Sequence, residues 1–383
     1  MKVLVAIDSF KGSISSIEGS KGISEGIREV DQEAEIVTLP LADGGEGTVE
    51  ALVYATNGDY RTKTVVGPLG GKIDAVYGIL RGGKTAVIEI ATACGLPLVP
   101  THKRNPMIAT TYGVGELILD AIESGCRDFV IGLGGSATND GGVGMLQALG
   151  YSFLNQQGEE VGFGGRHLFD IHQIDSSGVH PKLNECTFRV ACDVDNPLYG
   201  PDGASHIFGP QKGATPEMVE MLDQGLKRFA QVVQTQLNVE INHIKGGGAA
   251  GGLGAAFAGF LKGQLQSGIE IVMDFIELEK KIQGANLVIT GEGKLDGQTA
   301  RGKVPYGIGQ VARKYSVPVI ALAGATEKEA VKLNEGGITA YFSIVNAPMR
   351  LEEAMDSLVT YQNLKITAGQ VYRLVQAVRL VQV

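Results

Sequence analysis

The stretch IGLGGSATNDGGVGMLQALG, residues 131–150, restricts the possible fold more than any other part of the chain. The apolar run Phe129, Val130, Ile131 has strand character. A polar loop with Gly134, Gly135, Gly141 and Gly142 follows, and then Val143, Met145, Leu146 and Leu149 recur at helical spacing. Strand, glycine loop and helix together form the half-unit of an α/β fold. In such a loop the backbone amides can approach an anion closely, and the following helix start adds partial positive charge. Ser136, Thr138, Asn139 and Asp140 add hydroxyl, amide and carboxylate groups that a hydrophobic core does not need. Phosphate or carboxylate is the guest this chemistry suits. The alternative is a plain turn capped by Asn139-Asp140-Gly141.

The same plan recurs elsewhere. Residues 1–8 read as a strand, DSFKGSIS as a loop, and Ile17, Ile23 and Ile27 as one face of a helix. A strand over 34–41 leads through LADGGEGT into a helix over 48–55. Residues 61–98 change to short β-rich runs broken by Gly70-Gly71 and Gly82-Gly83, which predicts antiparallel pairing and a domain change. Helices follow over 115–124 and 216–237, and another begins within GGGAAGGLGAAFAGFL. Residues 151–183 read as mixed β and loop, and 188–194 as a strand opening into CDVDNPLYGPDGA. The last third alternates again: strand 285–290, loop GEGKLDGQTARGKVP, helix 305–315, strands 317–323 and 340–345, and a terminal helix over 367–381. Such alternation predicts a parallel sheet with ligands at the carboxyl ends of its strands. At 383 residues the chain exceeds a single core, so two domains are expected. Its 55 glycines fall in short groups between apolar runs, as loops do and linkers do not.

Several functions are disfavoured. A net charge of −9 argues against a nucleic-acid partner, which needs a basic footprint. No apolar run reaches membrane-span length. MKVLVAID has strand character from the outset, without the basic and cleavable pattern of a secretory leader. Cys94, Cys126, Cys186 and Cys192 lack CxxC spacing, so a reducing cytoplasmic setting without structural zinc is expected. The six histidines show no metal spacing.

Two motifs mislead. GGGAAG fits a dinucleotide fingerprint without a strong preceding strand, and GQTARGKV fits a P-loop except that Val304 stands where a magnesium-holding hydroxyl belongs. The surviving signal is a set of carboxylates after apolar runs: Asp8, Asp43 with Glu46, Asp140, Asp193 with Asp195, and Glu292 with Asp296. Lys294, Arg301 and Lys303 accompany the last pair. Clustered carboxylates are costly unless a cation or a proton relieves them. Phosphoryl transfer supplies both needs, since Mg²⁺ bridges phosphates and carboxylates, and a further carboxylate can accept a hydroxyl proton. Lys11 could neutralise the transferred group. A metal-dependent phosphatase or hydrolase of small phosphorylated acids and a non-enzymatic anion-binding module are the rival classes.

DSFKGS, LADGGEGT, GLGGSATNDGG, CDVDNPLYGPDGA, GGGAAGGLG and TGEGKLDGQTARGKVP occur in the order, and over nearly the full length, in which the chain resembles the bacterial type I glycerate kinases. The resemblance implies a two-domain α/β enzyme, with a Rossmann-like parallel-sheet domain, a second mixed α/β domain and the active site in the cleft between them. It further implies ATP-dependent phosphorylation of D-glycerate. The 2-hydroxyl is the expected acceptor and 3-kinase regiochemistry the alternative, in routes degrading glyoxylate, glucarate or galactarate. The expected division is 1–65 with 286–383 against 66–285, or else the strand before Gly134 joins the first sheet. The expected cofactors are ATP and Mg²⁺, and a homo-oligomer stays open. As site residues we expect Asp296 as base, Asp193 as metal ligand or base, and Lys11 as a catalytic cation. Arg301, Ser136 and Asn139 are expected on glycerate, and Gly134, Gly135, Gly44, Gly45, Lys294 and Lys303 on nucleotide phosphates. Asp43 and Asp193 are the expected metal ligands.

Overall fold

The structure is a computed structural model that describes residues 1–381. It divides into two compact units. The first comprises Met1–Asp43, Glu50–Ala55 and the chain from Val272 onward, and the second Gly44–Val49 and Thr56–Ile271. The strands in chain order are β1 (Lys2–Ile7), β2 (Glu35–Thr38), β3 (Asp59–Val66), β4 (Lys72–Ile79), β5 (Thr85–Glu89), β6 (Asp128–Gly132), β7 (Ser152–Leu154), β8 (Gln173–Asp175), β9 (Thr187–Ala191), β10 (Gln264–Gln266), β11 (Leu287–Leu295), β12 (Val319–Thr326) and β13 (Ala340–Ser343).

The first unit is built on a five-stranded sheet in the order β13-β12-β11-β1-β2, parallel throughout. Val3, Val5 and Ile7 of β1 and Leu287 and Ile289 of β11 share a buried cluster with Ile23 and Ile27 of the helix Ser16–Arg28. Leu364, Ala368 and Tyr372 of the helix Ser357–Val381 complete it. These two helices pack closely because Gly26 has no Cβ, which at that position would lie 2.0 Å from the Lys365 carbonyl oxygen.

The second unit carries a six-stranded sheet in the order β10-β9-β6-β5-β4-β3. From β10 to β5 it is parallel, whereas β3–β4 and β4–β5 pair antiparallel, so this is the mixed sheet the sequence anticipated. β3 joins it through eight paired positions along β4, closed by the turn at Gly67–Gly71. β6 likewise belongs to this second sheet. Its neighbours bury Phe129 and Ile131 against Phe188 and Val190, with the helices Tyr112–Glu123 and Pro216–Leu237 supplying Leu117, Leu226 and Phe229.

Several boundaries differ from the sequence reading, three of them with a clear physical reason or consequence for the site. β11 continues to Leu295, through GEGKL, which reads as loop. Gly291 allows this extension, since a Cβ there would meet the Leu322 carbonyl oxygen at 2.1 Å, and Glu292 pairs in register with Ala323. The terminal helix begins at Ser357, because Asp356 accepts the N–H groups of Leu358 and Val359 and starts the helix ahead of its clearly patterned part. β9 stops at Ala191, leaving Asp193 beyond the strand. The short helices Gly268–Phe275 and Leu278–Gln283 escape the sequence reading. Among the described residues no helix is long and apolar enough to cross a membrane.

Candidate active site

In the first unit β1 and β11 lie side by side, and the chain proceeds from them in opposite directions, to β2 on one flank and to β12 and β13 on the other. Such a reversal opens a crevice at the carboxyl ends, where parallel α/β sheets bind ligands. Asp8, the first residue past β1, donates its N–H to the Gly291 carbonyl at 2.9 Å, which places it beside Glu292 on β11. Both side chains are buried.

Burial, and next the negative charge of Asp43, push Asp8 up to about 7, while Lys11 and the Ser9 N–H pull it down. Glu292 is also raised, by burial first, against the Thr299 hydroxyl and the charge of Lys303. Lys11 Nζ lies 2.9 Å from Asp43 Oδ2. Burial would lower the Lys11 ammonium, but Asp43, then Asp8 and Glu292, hold it above its ordinary value. Asp8, Asp43 and Glu292 therefore repel one another around Lys11, and Lys303 adds positive charge that acts on Glu292. A proton on Asp8 is one way to relieve that repulsion and an added cation is another.

Asp296 follows at the end of β11. Its Oδ1 accepts the N–H groups of Gln298 at 2.8 Å and Thr299 at 3.1 Å, and the Thr299 hydroxyl donates onward to Glu292. Burial pushes Asp296 up, yet these N–H donors and the charges of Lys303 and Lys294 outweigh it, so the carboxyl sits below its ordinary range. Lys294 is half exposed, pairs with Glu327 and stands 3.9 Å from Asp296. The backbone of Arg301 ends a single turn of helix, and its side chain lies outside the described residues.

The second unit holds the glycine loop after β6. Gly134 and Gly135 are exposed. Gly44 and Gly45 pack against this loop backbone to backbone: a Cβ on Gly132 would lie 2.5 Å from the Gly44 carbonyl oxygen, and one on Gly134 3.2 Å from Gly45 Cα. Glycine is required here by close approach.

The later half of the loop differs from the anion site expected at a helix start. Asp140 is buried and accepts from the Thr111 N–H and hydroxyl at 2.9 Å each, from the Gly142 N–H at 3.1 Å and from the Gly144 N–H at 3.4 Å. The Met145 N–H donates to the Thr111 hydroxyl. The first amides of the six-residue helix Val143–Ala148 are thus consumed internally, and for Asp140 the capped-turn alternative describes the structure. Burial raises the Asp140 carboxyl, and the four donors oppose that rise. Asn139 is buried and donates from Nδ2 to Ser205 Oγ at 3.0 Å.

Ser136 has a partner that the sequence reading passed over. Lys212 Nζ donates to Ser136 Oγ at 2.8 Å and to the Thr138 carbonyl at 2.7 Å. The only sequence signal for it is a lysine held between Pro210 and Gly213, and Gly213 adopts φ +90°. Asp193 is exposed and accepts the Gly268 N–H at 3.1 Å, while Asp195 pairs with Lys245 at 3.1 Å. Among the described residues no group of three or more acidic, histidine or cysteine side chains is arranged to hold a metal by itself.

Comparison with known proteins identifies the family and the fold. The model of the glycerate kinase family matches residues 3–376. A protein of Escherichia coli K12 named glycerate 2-kinase is 50% identical over 354 residues, covering 92% of this chain and 93% of that one. A glycerate kinase of Bacillus subtilis strain 168 is 47% identical over 361 residues, 94% of each. A crystal structure described as glycerate kinase 2 from Salmonella typhimurium LT2 superposes with a TM-score of 0.91 at 46% identity and covers 99% of both chains.

Proposed function

The chain belongs to the glycerate kinase family and is a kinase acting on glycerate, and from that premise we propose that ATP is the phosphoryl donor and the 2-hydroxyl of D-glycerate the acceptor. The observation that carries ATP use is the charge pattern at the β1–β11 switch point. Three mutually repelling carboxylates there are answered by Lys11 and, at Glu292, by Lys303, and the cluster sits where an open parallel sheet presents its ligand. A divalent cation would offset that imbalance and bridge the carboxylates to a nucleotide's phosphates. Support for the 2-hydroxyl comes from the Escherichia coli relative, 50% identical and named glycerate 2-kinase.

Magnesium fits the donor set. It binds through one or two carboxylates together with phosphates and waters, so it does not need three protein ligands. Asp43 is the carboxylate of the first unit proposed to hold it, and Asp193, exposed in the second, is the further candidate. When bound, the ion neutralises phosphate charge. Lys11, an ammonium kept charged by its carboxylate neighbours, supplies positive charge to the transferred group. Asp296 is held ionised and can accept the acceptor hydroxyl's proton. Phosphoryl transfer through a loose transition state asks only for a positioned carboxylate there. The exposed amides of Gly134 and Gly135, with Gly44, Gly45, Lys294 and Lys303, are proposed to contact phosphates, and Ser136 and Asn139 the acid. Arg301 could serve either anion, and a cytoplasmic setting completes the proposal.

Phosphorus and carbon NMR of the product made from ATP and D-glycerate tests the reading. Equimolar ADP and 2-phosphoglycerate are expected. 3-Phosphoglycerate would reverse the regiochemistry, and ATP loss without glycerate dependence would point to a hydrolase.

A further inference from the structure

Lys212 is 2% exposed, and among the described residues no carboxylate lies within ion-pair distance of its ammonium. Its two acceptors are neutral, the Ser136 hydroxyl and the Thr138 carbonyl. A buried charge whose hydrogen-bond partners are all neutral is costly, and it is the kind of group that functional sites retain for a ligand of opposite charge. The titratable groups facing it are the Cys94 thiol, which burial pushes up to about 12 and so keeps neutral, and the Asp140 carboxylate, whose oxygens are taken by four other donors. Arg104 contributes its carbonyl beneath Gly213.

The geometry fixes what Ser136 can do. Its oxygen already accepts from Lys212, so its O–H is free to donate, polarised by the ammonium behind it. Gly134 and Gly135 lie exposed immediately before it. Three residues further on, Asn139 Oδ1 is buried with no hydrogen-bond partner, an acceptor suited to a hydroxyl. A hydroxyl donor backed by positive charge, next to two exposed glycines, suits a small anion.

We propose that Ser136, charged from behind by Lys212, is the subsite for the carboxylate of the acceptor acid, with Lys212 as a positioning residue that does not itself touch the substrate. This rests on the glycerate-kinase reading and assigns the carboxylate to the second unit's loop, leaving Arg301 to the nucleotide phosphates. A phosphate would recognise the same donors, so the test separates the two anions.

The test compares wild type with Ser136→Ala and Lys212→Met, measuring KM for D-glycerate and for ATP between pH 6.5 and 9.5 and checking each fold by thermal melting. Ser136→Ala is expected to raise the glycerate KM about tenfold or more, the scale of one hydrogen bond to a charged group, and to leave the ATP KM unchanged. Burial pushes Lys212 down to about 8, so the wild-type glycerate KM is expected to climb above that pH, and Ser136→Ala to lose the climb. A folded Ser136→Ala enzyme with unchanged glycerate KM overturns the proposal, as does an effect on the ATP KM alone. If Lys212→Met fails to fold, Ser136→Ala decides. If wild type does not turn glycerate over, calorimetric titration with D-glycerate decides: binding lost in Ser136→Ala sustains the subsite apart from the kinase reading, equal binding overturns it, and no wild-type binding overturns both.

Discussion

Lys11 Nζ and Asp43 Oδ2 stand 2.9 Å apart, tying the loop after β1 to the loop after β2 although 32 residues separate them. In surface terms such a pair contributes little, because half of the Lys11 side chain is in water. Its weight comes from the neighbours. Asp8 and Glu292 add negative charge from two adjacent strand ends, so Lys11 and Asp43 form the wet edge of a cluster whose inner members are buried.

Asp43→Asn keeps the side chain's shape and removes its charge. The variant is expected to need a higher magnesium concentration for half-maximal rate, read from metal titrations of ADP formation at saturating glycerate. A folded variant with the wild-type magnesium curve would remove Asp43 from the metal.

Asp8 gives a pH dependence of stability with a defined sign. Its folded value of about 7 exceeds the ordinary carboxyl value of 3.8, so between those limits the folded state holds a proton that the unfolded chain has released. The stabilisation is complete below about 4 and is lost as pH rises through 7. In metal-free buffer, urea unfolding should show wild type losing roughly 2–4 kcal/mol more than Asp8→Asn between pH 4 and 8. Parallel pH profiles for the two proteins would contradict this assignment.

Asp140→Ala should damage folding first. It strands the Thr111 N–H and hydroxyl and the Gly142 and Gly144 N–H groups inside the second unit. Orphaned buried donors cost about 1–3 kcal/mol each, so a loss of at least about 3 kcal/mol is expected in chemical denaturation. A well-folded but inactive Asp140→Ala protein would instead make this carboxylate a catalytic group.

The alternation of strands and helices is readable because a continuous apolar run, as in MKVLVAI, and apolar periodicity at 3.6 residues, as in the helix Pro216–Leu237, are local signals. β11 was cut short because Gly291, Glu292 and Gly293 read as loop residues, although the neighbouring β12 backbone holds them extended. The candidate site is legible in the sequence only as residue types placed after strands. What could not be read was pairing. That Asp140 spends its oxygens on Thr111 and the helix amides, or that Lys212 comes to lie behind Ser136 from 76 positions away, depends on tertiary packing that sequence spacing does not encode. Lys212 has no periodic or motif signal beyond its flanking proline and glycine.

Asp296 supplies the last prediction. One of its oxygens is committed to two loop N–H groups, and Lys294 and Lys303 add positive charge, so the carboxylate stays ionised at neutral pH and is fixed in direction. A carboxylate with a lowered pKa is a weak base, but in phosphoryl transfer the acceptor's proton departs late, when the developing phosphate ester bond has made it acidic, so position matters more than basicity. Asp296→Asn preserves much of the loop's hydrogen bonding through its amide oxygen and removes the proton acceptor. Turnover is expected to fall roughly 10²-fold or more, with the ATP KM nearly unchanged. Because the group is ionised throughout the neutral range, the rate of wild type should show no acidic limb from Asp296 above its ordinary carboxylate range. Steady-state kinetics from pH 5 to 9 read both features. A folded Asp296→Asn enzyme with near-normal turnover would transfer the role to Asp193 or show that transfer needs no base.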